Sequence, residues 1–193
     1  EFAKKLSATL AYIYLAQGDA VGLHVMRKKN PVTLPPKRNP AQVQEILQVL
    51  GPLDAKGETT LSESLHEIAE SSQTRGLVII VSDFFEEIPL LDQAISHLKD
   101  RKHDVVLFQL LDQQEIDFKF KRPTRFVDLE GGGSIITEPI LIRDEYQQRL
   151  EEHSQALFNK SLECGASFFR VPTKVSIREI LDYIRNENRG GIL

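Results

Sequence analysis

The sequence has little sulfur, no tryptophan and no long apolar run. Its 193 residues include a single cysteine, Cys164, so no disulfide framework can form within the chain. No segment approaches the ~20 apolar residues that cross a bilayer, and no signal peptide is visible. The net charge of −4 argues against a general nucleic-acid-binding surface. We therefore expect a cytoplasmic globular protein that contacts neither membranes nor nucleic acids.

The most informative segment is an apolar run over residues 76–82. It is rich in Val and Ile, and it ends abruptly at Ser82-Asp83. Such a run is typical of a strand that is buried on both faces of a parallel sheet. Open sheets of this kind place their ligands at the carboxyl ends of the strands. Asp83 is therefore the first candidate for a functional residue.

Helix-like and strand-like patterns alternate along the chain. Helical stripes are predicted over residues 2–17, 40–50, 61–69, 89–99, 144–163 and 176–188, and buried strands over residues 20–26, 76–82, 104–111 and 165–171. The basic, proline-rich segment 27–39 is predicted as a loop, and the alternating segment 115–136 as an antiparallel hairpin. Parallel strands need crossover connections, so this order predicts an α/β domain with a mainly parallel sheet and helices on both faces.

The beginning of the pattern is unusual. The chain starts at Glu1-Phe2 without an initiator methionine, and helical periodicity begins at once. We interpret residues 1–193 as one domain from an N-terminally truncated fragment, whose alternation begins one strand late.

Several sequence phrases occur in a specific order over nearly the whole chain. They include Gln17-Gly-Asp-Ala-Val-Gly-Leu23, Leu34-Pro-Pro36, Gly57-Glu-Thr-Thr-Leu61, Ile80-Val-Ser-Asp-Phe84, His103-Asp-Val-Val-Leu107 and Phe126-Val-Asp-Leu-Glu-Gly-Gly132. In this order and spacing they resemble a bacterial domain-of-unknown-function family with a von Willebrand factor A-like fold. Genes of that family commonly neighbour those of MoxR-type AAA+ ATPases. The resemblance implies a Rossmann-like sheet and a MoxR-type AAA+ ATPase as the protein partner.

The resemblance also implies a metal-ion-dependent adhesion site. Such sites hold Mg²⁺ or Mn²⁺ with an Asp-x-Ser-x-Ser after the first strand, a later Thr and an Asp at the end of a central strand. Thr59 matches the Thr position and Asp83 the Asp position, and Ser82 is a weaker candidate. The Asp-x-Ser-x-Ser element is absent from this sequence. We therefore expect the metal site to be degenerate or truncated in this chain, with metal binding belonging to a longer protein.

Each candidate residue also has a structural interpretation. Thr59 or Thr60 could cap the helix that follows, since Thr60-Leu-Ser-Glu63 has capping-box spacing. Asp83 could be a solvated strand end near a helix N-terminus. Glu86 and Glu87 precede the helix at 89–99, where acidic groups interact favourably with the helix dipole.

Two classes of function remain open from the sequence, and a pure scaffold that binds no metal cannot be separated from the first of them. The first is a non-enzymatic protein–protein interaction module that grips an acidic group of its partner. The alternative is a doubly wound phospho-receiver or hydrolase-type enzyme that uses Asp83 as its nucleophile. Receivers need an acidic pair after the first strand, and dehalogenase-type hydrolases need Asp-x-Asp, whereas Asp83 is followed by Phe84-Phe85. The interaction module is the better match.

The implied fold raises an assembly problem. In a von Willebrand A-like sheet, the strands at 20–26 and 76–82 would flank the missing first central strand. Three solutions are open: the two strands close directly onto each other, a segment of another copy fills the gap, or upstream residues do. Exposed sheet edges recruit strands, so self-association into a homo-oligomer is expected.

Overall fold

The described parts of the chain form a mixed α/β structure. The computed structural model describes residues 1–27, 31–53, 60–120, 124–127, 134–137 and 139–187. The helices are α1 (Phe2–Ala16), α2 (Gln42–Leu50), α3 (Leu61–Ser71), α4 (Ile88–Asp100), α5 (Gln113–Asp117), α6 (Pro139–Glu163) and α7 (Ile177–Glu187). The strands are β1 (Val21–Val25), β2 (Val32–Lys37), β3 (Leu77–Ser82), β4 (Asp104–Leu111), β5 (Thr124–Val127), β6 (Ser134–Thr137) and β7 (Ser167–Pro172).

The central feature is a three-stranded parallel sheet in the order β3-β4-β7. Leu77 of β3 lies opposite Asp104 of β4, and Val106 of β4 lies opposite Ser167 of β7. β4 is therefore hydrogen-bonded on both sides, which explains why most of its residues are buried. The predicted parallel sheet is confirmed for these three strands.

Helices cover both faces of this sheet, as predicted. On one face, α1 and α7 pack against Val106 and Phe108 of β4. On the other face, α3, α4 and α6 pack against Val105 and Leu107, which point the opposite way because side chains alternate along a strand. Each fully buried aliphatic side chain in these layers stabilises the fold by about 1.5–3 kcal/mol.

The predicted strand at 20–26 forms, but it does not belong to the parallel sheet. β1 instead pairs antiparallel with β2, in a separate two-stranded sheet that packs against α1 and α2. Most of β1 is half-buried, so its predicted burial on both faces is wrong. The prediction of a loop over 27–39 is also wrong, since β2 occupies Val32–Lys37. Pro35 and Pro36 obscured this strand, because proline is tolerated in strands mainly at edges.

A glycine lets the β1–β2 hairpin close. A Cβ added at Gly22 would lie 2.7 Å from the carbonyl oxygen of Leu34, and the pairing register shifts between Val21 and Leu23. Only glycine fits this close backbone approach without movement of the partner strand.

β3 is an edge strand in the described structure. It pairs with β4 alone, and Ile80 is its only buried residue. Val78 and Ile80 pack against one core cluster, and Leu77, Ile79 and Val81 pack against the other, so both faces of β3 are covered. The predicted burial of residues 76–82 on both faces is therefore confirmed only in part, because most of these side chains are half-buried. An apolar sequence run indicates a strand, but it does not indicate how many other strands pair with it. Direct closure of residues 20–26 onto 76–82 is not observed either, because β1 and β3 lie in different sheets.

The open edge of β3 is the side that faces away from β4. The amide of Asp104 donates to the carbonyl of Gly76 at 3.0 Å, and Leu77 is the partner of Asp104. In a parallel ladder this pairing directs the peptide groups of Val78, Ile80 and Ser82 toward β4. The N–H and C=O groups of Leu77, Ile79 and Val81 consequently point toward the open edge.

The antiparallel excursion near 115–136 is confirmed in its outer part. β5 and β6 form an antiparallel hairpin, with Phe126 opposite Ile135. The predicted turn at 131–133 lies outside the described residues. The start of the segment is the short helix α5 rather than an extended strand, and α6 begins at Pro139, earlier than the predicted residue 144.

Candidate functional site

The carboxyl ends of the three parallel strands meet at one edge of the sheet, which we call the carboxyl rim. Asp83 follows β3, Asp112 follows β4 and Thr173 follows β7. The hydroxyl of Thr173 donates to Oδ2 of Asp112 at 3.1 Å, so the ends of β4 and β7 are linked by side chains. Asp83 and Asp112 are exposed to solvent. This is the edge at which open parallel sheets bind ligands.

A strained turn presents Asp83. The next residue, Phe84, has φ 59°, in the left-handed region that non-glycine residues adopt at a cost of about 1–2 kcal/mol. The Phe84 side chain is 0% exposed, and burying a side chain of this size stabilises the fold by about 1.5–3 kcal/mol. Core burial therefore offsets the backbone strain and leaves Asp83 facing solvent.

Side chains from two other elements fix this turn. Nε2–H of His153, on α6, donates to the carbonyl of Phe84 at 2.8 Å. The fully buried Gln109, on β4, donates to the carbonyl of Asp83 at 3.4 Å. His153 is thus a hydrogen-bonded structural histidine. The role of Gln109 was not predicted; the signal was a polar residue inside an otherwise apolar strand.

The side chains of Ser82 and Asp83 lie close together and accept backbone amides of the turn. Oγ of Ser82 accepts the amide of Phe84 at 3.1 Å and lies 3.4 Å from Oδ1 of Asp83. Oδ1 also accepts the amide of Phe85 at 3.3 Å. Oδ2 of Asp83 accepts no hydrogen bond from the described residues. One carboxylate oxygen and one hydroxyl are therefore placed where a cation could contact them.

Of the three predicted metal ligands, Ser82 and Asp83 lie side by side and Thr59 lies outside the described residues. Mg²⁺ prefers about six oxygen ligands in octahedral geometry. Across the described ranges, no three His, Cys, Asp or Glu side chains gather as a metal-binding group. The described oxygens thus fit only part of a Mg²⁺ or Mn²⁺ coordination sphere, and water would fill the remaining positions.

The start of α3 is held by an acid from the Asp83 turn. Both carboxylate oxygens of Glu86 accept hydrogen bonds from Ser62, one from its amide at 3.0 Å and one from its hydroxyl. Sequence reasoning placed Glu86 at the start of α4, but the residue stabilises the N-terminus of α3. Glu87 does precede α4, as its N-cap residue.

Thr60 occupies the N-cap position of α3, but the predicted capping box forms only in part. Its hydroxyl donates to Oε2 of Glu63 at 2.6 Å, and its side chain makes no capping bond to the helix backbone.

A complete capping box lies at the end of β4. Oδ1 of Asp112 accepts the amide of Gln114 at 2.8 Å, and Oε2 of Glu115 accepts the amide of Asp112 at 2.9 Å. Burial raises the pKa of Glu115, the charges of Asp83 and Asp112 raise it further, and the bond from the Asp112 backbone opposes them. Glu115 thus couples electrostatically to both rim aspartates. The Asp-x-x-Glu spacing was the signal that sequence reasoning left unused.

Comparison with known proteins identifies the family of this chain. Residues 1–156 match the family model described as "Protein of unknown function DUF58". The match covers most of the chain, which therefore belongs to this family. A search of curated proteins found no match. Among the described helices, none has the length and apolar character needed to cross a membrane.

The raised pKa of Glu115 predicts a pH-dependent effect of Glu115→Gln. The folded state keeps a proton on Glu115 at pH values where the unfolded chain has lost it, so the contribution of Glu115 to stability falls as pH rises above its ordinary pKa of 4.5. Glutamine carries no charge and still accepts the Asp112 amide. We expect the unfolding free energy of the variant, relative to wild type, to increase between pH 4 and pH 7 in urea titrations.

Glu179→Gln provides a control of opposite sign. Hydrogen bonds from the side chain and backbone of Ser176 lower the pKa of Glu179, so this carboxylate stabilises the fold above its unfolded pKa and the contribution is lost as pH falls. The Glu179 variant should therefore lose stability relative to wild type as pH rises. A Glu115→Gln difference that does not change with pH would contradict the assignment.

Proposed function

We propose that this chain is a non-enzymatic protein–protein interaction module. The observation that carries the proposal is the open edge of β3, an apolar strand that pairs only with β4 among the described residues. The N–H and C=O groups of Leu77, Ile79 and Val81 point to this edge and are available to an added strand. Strand addition to an exposed sheet edge is a common mode of protein recognition.

The sequence of β3 favours pairing with an added strand, because it lacks the residues that usually shield an edge strand from such pairing. Natural edge strands are usually shielded by charged residues, proline or bulges. β3 contains none of these, since its residues are Leu-Val-Ile-Ile-Val-Ser. A second copy of the chain and a different protein could both supply the added strand, so the module serves homo-oligomer formation as well as binding of a partner.

The partner class is proposed from the sequence resemblance. The related von Willebrand A-like proteins are encoded beside MoxR-type AAA+ ATPases, and we propose such an ATPase in the cytoplasm as the partner, with assembly or regulation as the process. Asp83 stands at the carboxyl end of β3, next to the open edge. A partner strand docked on β3 would therefore approach Asp83.

We propose a degenerate metal-ion-dependent adhesion site at this position. Asp83 and Ser82 supply a carboxylate and a hydroxyl, and Thr59 is the third proposed ligand. Bound Mg²⁺ or Mn²⁺ would leave a coordination position for an acidic group of the partner. The incomplete ligand set supports weak metal binding by this chain.

The alternative of an Asp83-dependent phospho-receiver or hydrolase has less support. A nucleophilic carboxylate needs a positioned acid, base or metal. The hydrogen bonds to the carboxylate of Asp83 from the described residues come from the Ser82 hydroxyl and the Phe85 amide, both within the turn. These contacts orient the carboxylate without providing a proton-transfer partner.

The open edge predicts concentration-dependent self-association. Multi-angle light scattering of the wild type should give masses above the 21.9 kDa of one chain at tens of micromolar. Val81→Lys places a charge on the edge strand and should return the mass to that of one chain. Phe168→Lys is the matched control, since it changes a half-buried apolar residue on β7, the opposite edge strand. A wild type that stays at one-chain mass, or equal effects of both variants, would contradict the proposal.

Metal titration tests the rim. We expect calorimetry to show Mn²⁺ binding in about the millimolar range, because most ligands would be water. Asp83→Ala should abolish this binding, whereas Asp104→Ala, at the other end of the sheet, should leave it intact. Micromolar affinity that disappears in Asp83→Ala would show that the site is complete rather than degenerate. Binding unaffected by Asp83→Ala would remove Asp83 from the site.

A further inference from the structure

Two histidines face each other across the contact between α3 and α4. His66 lies on α3 and His97 on α4, and their Nδ1 atoms are 2.9 Å apart. The ring centroids are separated by 5.1 Å and the ring planes are inclined by 43°. Both residues are half-buried. Neither residue takes part in the carboxyl rim or in the open edge of β3.

The contact brings two strong ligand atoms together. At this distance one Nδ1 carries the proton and the other accepts it. If the donor ring moves its proton to its own Nε2, both Nδ1 atoms offer lone pairs, and the pair's net charge does not change. Neutral imidazole is the preferred protein ligand of zinc, copper and nickel, and it is poorly suited to magnesium.

The spacing suits a particular class of ion. With metal–nitrogen distances of about 2.0–2.1 Å, nitrogens 2.9 Å apart subtend an angle of about 90° at the metal. This is the angle between neighbouring ligands of an octahedral or tetragonal ion, whereas a tetrahedral ion would separate the nitrogens by about 3.4 Å. Because the nitrogens meet almost head-on, both rings would have to turn about their side-chain bonds to aim at one ion, and the 90° angle applies if their separation stays near 2.9 Å.

We propose that His66 and His97 form a two-histidine site for a late first-row divalent ion such as Ni²⁺ or Cu²⁺. Water completes the coordination sphere, because no larger group of His, Cys, Asp or Glu ligands forms in the described ranges of the chain. The ion ties α3 to α4, the two helices that begin beside the carboxyl rim. This site differs from the rim in ligand chemistry, since it uses nitrogen rather than oxygen.

Ni²⁺ titration of the untagged full chain tests the site. Calorimetry should show saturable binding by the wild type, and His66→Ala or His97→Ala should each weaken it by about tenfold or more. At one fixed concentration, Ni²⁺ should raise the Tm of the wild type more than that of either variant, because the ion stabilises the folded state more strongly as its affinity for the paired helices rises. Excess Mg²⁺ should not compete.

Matched variants keep the test decisive. His24→Asn removes a histidine whose Nδ1 contacts Thr33 in the β1–β2 hairpin, and it should bind Ni²⁺ as the wild type does. His66→Asn and His97→Asn replace the alanine variants if circular dichroism shows that these do not fold. Wild-type protein that binds no Ni²⁺ at millimolar concentration would overturn the proposal. Ni²⁺ affinity that stays at the wild-type value after the loss of either His66 or His97 would also overturn it.

Discussion

One-sided hydrogen bonding of β3 is the constraint on which the rest of the structure depends. β4 has a parallel partner on each side and helices on both faces, so it anchors the core. β3 has the same apolar composition but only one partner among the described strands. Each unmade buried backbone hydrogen bond costs about 1–3 kcal/mol, against a net stability of about 5–15 kcal/mol for a typical domain. The backbone groups at the open edge are therefore either hydrogen-bonded to water or paired with another strand.

The same strand leads into the carboxyl rim. β3 ends at Ser82, and the left-handed residue Phe84 turns the chain so that its own side chain enters the core while Asp83 faces solvent. Two hydrogen bonds join this turn to helices. His153 of α6 donates to the carbonyl of Phe84, and Glu86 accepts the amide of Ser62 at the start of α3. An added strand at β3 and a ligand at Asp83 would consequently act on one rigid unit.

Sequence patterns predicted the bounds of helices and strands more reliably than they predicted which strands pair with each other. The bounds of β4 match the predicted strand, and α1, α3, α4 and α7 lie close to the predicted helices. Periodicity indicates which face of an element is apolar, but it does not reveal pairing. Residues 20–26 and 76–82 therefore looked like two buried parallel strands, whereas one forms an antiparallel hairpin and the other an edge.

The site was predictable only in part for a related reason. Asp83 followed from its place after an apolar strand, and Ser82 from its adjacency. The contacts that fix the turn join residues far apart in sequence, such as His153 and Phe84, and local sequence patterns do not predict such contacts. The capping box of Asp112 and Glu115 was visible as a spacing, but its coupling to Asp83 depends on how β3 and β4 pair.

Amide hydrogen exchange along β3 tests the open edge most directly. In dilute protein, the amides of Val78, Ile80 and Ser82 should exchange slowly because they face β4, and those of Leu77, Ile79 and Val81 should exchange fast. At concentrations where the chain associates, the fast set should become protected. Uniform protection of all six amides in a monomeric sample would contradict the account, because it would mean that both sides of β3 are already paired within one chain.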